Sequence, residues 1–390
     1  MIGKLVKIVL AVAVLSGVGL GGLYVTGTVG VPDAGLEDNA WGEVDDERIE
    51  VVTTVWIDNP NPVSVDGVDV DYALAMNDVP LADGVAREVS VATGNTTTEL
   101  RTDLYYENLP AWWVSHVEND EVSDLTVDAE VHAEAGPLSG SPSVSHDEEI
   151  ETDLEVLIED SLAETEGEYD LSPVSVGADA VEPTVVIEDT DAAWGDVDDE
   201  RTELHLTYHV HNPNPYPLPT PAFTGDLEFN DRHVAAWDAH EVEVLHGGYD
   251  TTIPPGETRE ITFVAELDND DVVAWFATHV DNEEVSDAEM TSQLAMNLNG
   301  QTVTLPPEGE AFRCSYEMRT TIFVDQDAGL SDQTCEPVPW ATPDEDDFED
   351  LGATLELTGS DLEDVLTGSA AGDDGSDDDS EDGLLSELFS

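Results

Sequence analysis

The chain holds 390 residues, with 90 Asp or Glu against 10 Lys or Arg and a formal net charge of −80. Like-charge repulsion on that scale excludes nucleic acid and other polyanions as partners. A hydrophobic content of 40%, interleaved with the acids, excludes a disordered polyacid and leaves room for two domains that each bury a core.

In chain order, the first feature is an uncharged run from Ile8 to Val31, preceded by Lys4 and Lys7, the only lysines in the sequence. At ~1.5 Å per residue such a helix exceeds the ~30 Å of membrane hydrocarbon. A cleaved signal peptide would carry a shorter apolar core and a small-residue cleavage site, and no clear Ala-x-Ala follows here. The run predicts a single-pass transmembrane anchor at 8–31 in the cell membrane. The lysines before it place residues 1–7 in the cytoplasm and the rest of the chain outside. Gly17 and Gly21 form a Gly-x-x-x-Gly pair suited to close packing of a second helix.

Beyond the anchor the chain is written twice. Trp41-Gly42-Glu43-Val44-Asp45-Asp46-Glu47-Arg48 returns as Trp194-Gly195-Asp196-Val197-Asp198-Asp199-Glu200-Arg201, and Asn59-Pro60-Asn61-Pro62 returns at the same spacing as Asn212-Pro213-Asn214-Pro215. Ala111-Trp112-Trp113 returns as Ala274-Trp275-Phe276, each followed by Glu-Val-Ser-Asp, at 121–124 and 284–287. Two copies of this length are tandem domains and not a solenoid, whose units run to ~20–50 residues.

Each copy reads as strands. Val51, Thr53, Val55 and Ile57 lie on one face, as do Leu204, Leu206, Tyr208 and Val210, and period two with one apolar face marks a half-buried strand. The Asn-Pro-Asn-Pro motif ends it: proline donates no backbone hydrogen bond and holds the preceding Asn extended, while the asparagine side chains can satisfy the backbone groups released. Val68, Val70, Tyr72, Leu74 and Met76 alternate next, and Leu125, Val127, Ala129, Val131 and Ala133 repeat the pattern, as expected of antiparallel sheets with one wet face. One short helix interrupts the strands, with Pro110 in its first turn in copy one and Asn269 or Asp270 as N-cap in copy two. Trp112, Trp113 and Val117, with Trp275, Phe276 and Val280, make an apolar cap on the sheets.

The resulting plan is all-β: a first β-sandwich at 38–160, a linker at 161–190 and a second sandwich at 191–325, with a disordered acidic tail at 341–390 that carries no Lys or Arg. Cys314 and Cys335 are the only cysteines, and outside the cell they are expected to form a disulfide. Asn95-Thr96-Thr97 is the single glycosylation sequon, usable at Asn95 on that side of the membrane.

A strand ending in Asn-Pro-Asn-Pro, the alternating strand after it, then Pro80-Leu81-Ala82-Asp83-Gly84 and a helix before further strands resemble the water stress and hypersensitive response (WHy) domain. This is the domain of the late embryogenesis abundant group 2, or desiccation-related, family. The resemblance covers both repeats and implies immunoglobulin- or fibronectin III-like sandwiches associated with water stress. The second copy departs from it where His233-Val234-Ala235-Ala236-Trp237 lacks the glycine. The acidic, lysine-poor composition resembles a halophilic archaeal member, in which salt screens the repulsion.

Two constellations invite a metal. His205, His209 and His211 share one face of a strand, and Glu43–Glu47 and Asp196–Glu200 are runs of acids. The histidines lack a third ligand type at fixed spacing, and the runs lack the Asp-x-Asp-x-Asp-Gly order of a calcium loop. Solvated surface and pre-strand loops account for both. No cofactor motif, nucleophile elbow, phosphate loop or His-Glu-x-x-His is present. The sequence therefore predicts a non-enzymatic, membrane-anchored, extracytoplasmic protein that responds to water and salt stress. The alternative is a binding module that recognises an envelope polymer or protein.

Overall fold

The structure, a computed structural model, describes residues 33–341 apart from a few short internal stretches, together with 354, 355 and 357. The expected anchor at 8–31 lies outside the described residues, and among these no helix is long and apolar enough to cross a membrane.

The first repeat opens with β1 (Asp33–Val44), β2 (Arg48–Asn59), β3 (Val65–Met76), β4 (Val79–Val91) and β5 (Gly94–Tyr105). Helix α1 (Leu109–Glu118) follows, then β6 (Val122–Ala135), β7 (Leu138–Gly140) and β8 (Ser143–Glu151). The strands pair as β1-β2-β5-β4-β3-β6, with β7 and β8 both on β6. Only Ala82↔Leu104 and Asp83↔Asp103 join β4 to β5, so the sheet divides there into β1-β2-β5 and β4-β3-β6-β8.

Between the repeats stand helix α2 (Leu154–Ala163) and the short strands β9 (Gly167–Asp170), β10 (Val174–Val176) and β11 (Asp179–Val181). The second repeat runs through β12 (Thr184–Val197), β13 (Arg201–His211), β14 (Leu218–Pro219), β15 (Ala222–Phe229), β16 (Arg232–Trp237), β17 (Glu243–His246), β18 (Thr252–Ile253) and β19 (Thr258–Asp268). It continues through helix α3 (Asn269–Asp281), β20 (Val285–Leu298), β21 (Gln301–Leu305), β22 (Glu310–Arg319), β23 (Gly329–Pro339) and β24 (Thr354–Leu355). Its two main sheets, β17-β19-β13-β12-β9 and β16-β15-β20-β22-β23, repeat the two halves of the first copy. Tyr208 and Phe263 from one and Phe223 from the other meet at ring-centroid distances of 5.5–6.3 Å, so both sheets feed one apolar core.

Local chemistry explains the repeated sequence landmarks. Asp45 Oδ1 accepts hydrogen bonds from the backbone N–H groups of Glu47 and Arg48, and Asp198 Oδ1 accepts from those of Glu200 and Arg201. The acidic runs are thus hairpin turns, and the backbone donors hold the Asp45 and Asp198 carboxyls below their usual range. Gly195 lies under His205, whose Nε2 would collide with an added Cβ. The missing glycine of copy two has moved strands: Tyr72 pairs with Gly84 in copy one, whereas Gly225 pairs with Trp237 in copy two. The Tyr72 ring covers Gly84, whereas a Cβ added at Gly225 would meet the Thr291 carbonyl oxygen of the neighbouring strand.

The described residues of 161–190, expected as a linker, are built into the second repeat. Leu157, Ile158 and Leu162 of α2 are fully buried in its core, and β9 pairs with β12. The apolar spacing of those three residues on α2 is what draws the segment onto the sheet. The second repeat also runs past 325 into β23, which holds Cys335 directly across from Cys314 in a disulfide. Within the acidic tail, Thr354 and Leu355 pair in parallel with Asn297 and Leu298, and Leu357 is buried; Leu355-Glu356-Leu357 supplies the apolar surface that docks.

Candidate functional site between the repeats

The site grows from the two short helices. Trp112 and His116 on α1, and Trp275 and His279 on α3, point inward four residues apart on one helix face. Trp112 Nε1 donates to Ser123 Oγ at 2.8 Å and Trp275 Nε1 to Ser286 Oγ at 2.9 Å. The same hydroxyls sit 2.8 Å from His116 Nδ1 and His279 Nδ1. The other ring nitrogens reach Thr152 Oγ1 at 2.9 Å and Thr320 Oγ1 at 2.8 Å. Thr152 Oγ1 in turn donates to Glu121 at 2.7 Å, and Thr320 Oγ1 donates to Glu284 at 3.4 Å.

Donor arithmetic fixes the direction of this chain. An ionised carboxylate only accepts, so threonine must give it a proton and take one from histidine Nε2. Neutral histidine then accepts at Nδ1 from serine, whose lone pair receives the indole N–H. Burial lowers each imidazole pKa to about 4, which keeps both rings neutral near pH 7, and the chain of donors then sets the proton on Nε2. Ser123 and Ser286 are completely buried, so these Ser-His pairs offer no nucleophile to a substrate.

Each chain ends on a carboxylate that serves the other repeat. Glu121 accepts from the N–H groups of Leu154 and Glu155 at the start of α2, both at 2.7 Å, and from Trp194 Nε1 at 2.8 Å. Glu284 accepts from the N–H groups of Ile322 and Phe323 at 2.6 and 2.5 Å, and from Trp41 Nε1 at 2.8 Å. Trp41 of repeat one thus binds Glu284 of repeat two, and Trp194 of repeat two binds Glu121 of repeat one. The glutamates are 4% and 0% exposed, at backbone φ of +58° and +60°. A buried glutamate held in the left-handed region costs on the order of 1 kcal/mol or more, which the converging donors offset. Between the helices lies a cavity of about 30 Å³ lined by Met76, Trp112, His116, Trp275, Phe276 and His279.

The residues predicted from sequence fall elsewhere. Asn59 is buried and its Nδ2 donates to Val91 O; Asn212 Nδ2 donates to Tyr216 O and Ile253 O; Asn214 Nδ2 donates to Thr184 O. The motif ties strand ends and lies away from the inter-repeat contacts. Asn61 lies outside the described residues. Asn95 is exposed at the start of β5. His205 faces Glu203 of its own strand at 3.3 Å, while His209 faces Glu260 at 3.6 Å and His211 faces Thr258 at 3.1 Å across strands, so each histidine of the row is spent on a protein partner. Among the described residues, Asp226, Glu228 and His233 bring three ligand atoms within 4.8 Å of one another. They stand beside an acidic cleft of about 300 Å³ lined by Glu228, Asp231, Asp287, Glu289, Glu317 and Asp332. Sequence reasoning missed both this trio and the paired Trp–Glu contacts, although the return of Trp-Gly and Glu-Val-Ser-Asp in both copies marks the latter.

Residues 54–149 match the family model described as Late embryogenesis abundant protein, which supports a domain of that type in the first repeat. No curated protein matches the sequence. Among solved structures, a protein from Archaeoglobus fulgidus is 27% identical over 32% of this chain and 98% of its own, with a TM-score of 0.28. A protein from Arabidopsis thaliana is 15% identical over 30% of this chain and 80% of its own, with a TM-score of 0.26. A late embryogenesis abundant protein is 19% identical over 34% and 78%, with a TM-score of 0.25.

Proposed function

We propose that the chain is a non-enzymatic stress protein, anchored in the cell membrane by residues 8–31, whose two β-sandwich repeats of the WHy kind act outside the cell against water and salt stress. The family match over 54–149 is the observation that carries the stress-protein part of this reading, and the anchor and outside location rest on the uncharged run at 8–31 and the lysines before it. The net charge of −80 supports it, since a carboxylate-rich surface holds water and cations in concentrated salt. The reciprocal Trp–Glu contacts join the two repeats into one body, as a protein that works as a single unit requires. Deletion of the gene tests the reading: survival should fall on drying and on dilution of salt, and unchanged survival contradicts it.

The acidic cleft of the second repeat favours a binding module as the second reading, with a cationic segment of an envelope polymer or protein as ligand. A saturable partner recovered from envelope extracts, and lost when Asp287→Asn and Glu289→Gln neutralise the cleft, would support it.

A further inference from the structure

The contacts between the repeats have the symmetry of a homodimer. In each repeat the opening strand supplies the tryptophan donor and the turn after the helix supplies the glutamate acceptor: Trp41 and Glu121 in the first, Trp194 and Glu284 in the second. Trp112 of α1 meets Phe276 of α3 at 5.4 Å between ring centroids, Trp113 meets Trp194 at 5.9 Å, and Trp41 meets Phe323 at 4.5 Å. The cores interpenetrate in the same sense, with Phe276 and Val280 entering the first repeat's cluster and Trp113 and Val117 entering the second's. Each face therefore carries both halves of the contact, which is the definition of an isologous surface. We propose that this face is self-complementary and fits a second copy of this chain, so that two chains can pair repeat to like repeat whenever the internal pairing is disfavoured.

In the wild-type chain the covalent connection keeps the second repeat at an effective concentration of ~mM near the first, and the internal pairing prevails. The pairings are not equal. Trp113 Nε1 donates to Thr202 Oγ1 at 2.9 Å, and in copy one Ile49 stands where Thr202 stands in copy two. First-repeat faces brought together would bury the Trp113 indole N–H against Ile49, with no acceptor. Second-repeat faces brought together place Phe276 against Thr202, which keeps its bond to Asn269 Oδ1 at 2.7 Å. An orphaned buried donor is worth about tenfold in a dissociation constant, so the second-repeat pairing is the tighter of the two.

Charge reversal at one tryptophan separates the pairings. Trp41→Asp sets a carboxylate against Glu284 and spoils the internal contact, yet leaves Trp194 and Glu284 intact for pairing between two chains. Trp194→Asp leaves Trp41 and Glu121. With both substitutions no face is complete. Sedimentation of the full chain in molar salt should show dimers for Trp41→Asp, dimers about tenfold weaker for Trp194→Asp, and monomers for the double variant. Folded single variants that stay monomeric at about 1 mM, or a double variant that associates as strongly as the singles, would overturn the proposal. Where a single variant fails to fold, the wild-type chain refolded from denaturant puts the same pairing to the test. Exchanged dimers should form at about 1 mM and not at about 1 µM, and equal dimer content at both would refute it.

Discussion

His116 and His279 each bridge a serine and a threonine hydroxyl deep between the repeats, and that placement makes stability depend on pH. An unfolded chain protonates an ordinary imidazole near pH 6.5, whereas the buried ones resist until about 4. Over that interval the unfolded state binds more protons, so stability is highest above pH 6.5 and falls as pH falls towards 4. Each histidine accounts for about 2 kcal/mol between pH 6.5 and 5, a range in which most carboxylates stay ionised. Urea unfolding in molar salt at pH 7 and pH 5 should show the loss, and His279→Asn should remove roughly half of it. A wild-type chain equally stable at both values would contradict the neutral tautomers of the two imidazoles.

At the scale of elements, Glu121 connects four things: the end of α1, the start of α2, Thr152 and the partner repeat's Trp194. Glu121→Ala would orphan the buried donors it collects, and a loss of about 3 kcal/mol is expected in chemical unfolding. A double-mutant cycle of Glu121→Ala with Trp194→Phe should show coupling of about 1 kcal/mol or more, and the cycle with Trp41→Phe close to none, although Trp41 shares Glu121's repeat. Equal couplings would refute the crossed pairing. The disulfide between Cys314 and Cys335 fastens β23 to β22 across a separation of 21 residues. Reduction should cost about 3 kcal/mol in the chain-entropy model, and an unchanged denaturation midpoint on reduction would show that β23 holds by pairing alone. Much of this level is legible in the sequence, because β13 alternates as Leu204, Leu206, Tyr208 and Val210 and period two admits only a strand. The role of α2 is not legible. Its leucines read as the end of one domain, and only the position of β12 decides which core they enter. The Trp–Glu contacts span separations of 243 and 73 residues, and a glutamate among 90 acids gives no sign that it is buried.

Across the whole molecule, charge and assembly act on the same balance. Eighty uncompensated negative charges repel one another over the Debye length, which grows from ~3 Å at 1 M salt to ~30 Å at 0.01 M. The arginine ion pairs are mostly exposed, such as Arg101 with Glu50 and Arg201 with Glu266, and surface pairs of this kind contribute little. A domain holds only about 5–15 kcal/mol in reserve, so accumulated repulsion can exhaust it on dilution. The crossed contacts and the shared cores then require both repeats to fail together. Thermal unfolding of the full chain, followed at once by tryptophan fluorescence and circular dichroism while salt is lowered from 1 M to 0.01 M, tests this most directly. One cooperative transition is expected, moving steadily to lower temperature as salt is removed. Two separate transitions, or a midpoint that does not move, would contradict the coupling of the repeats and the part that charge plays in it.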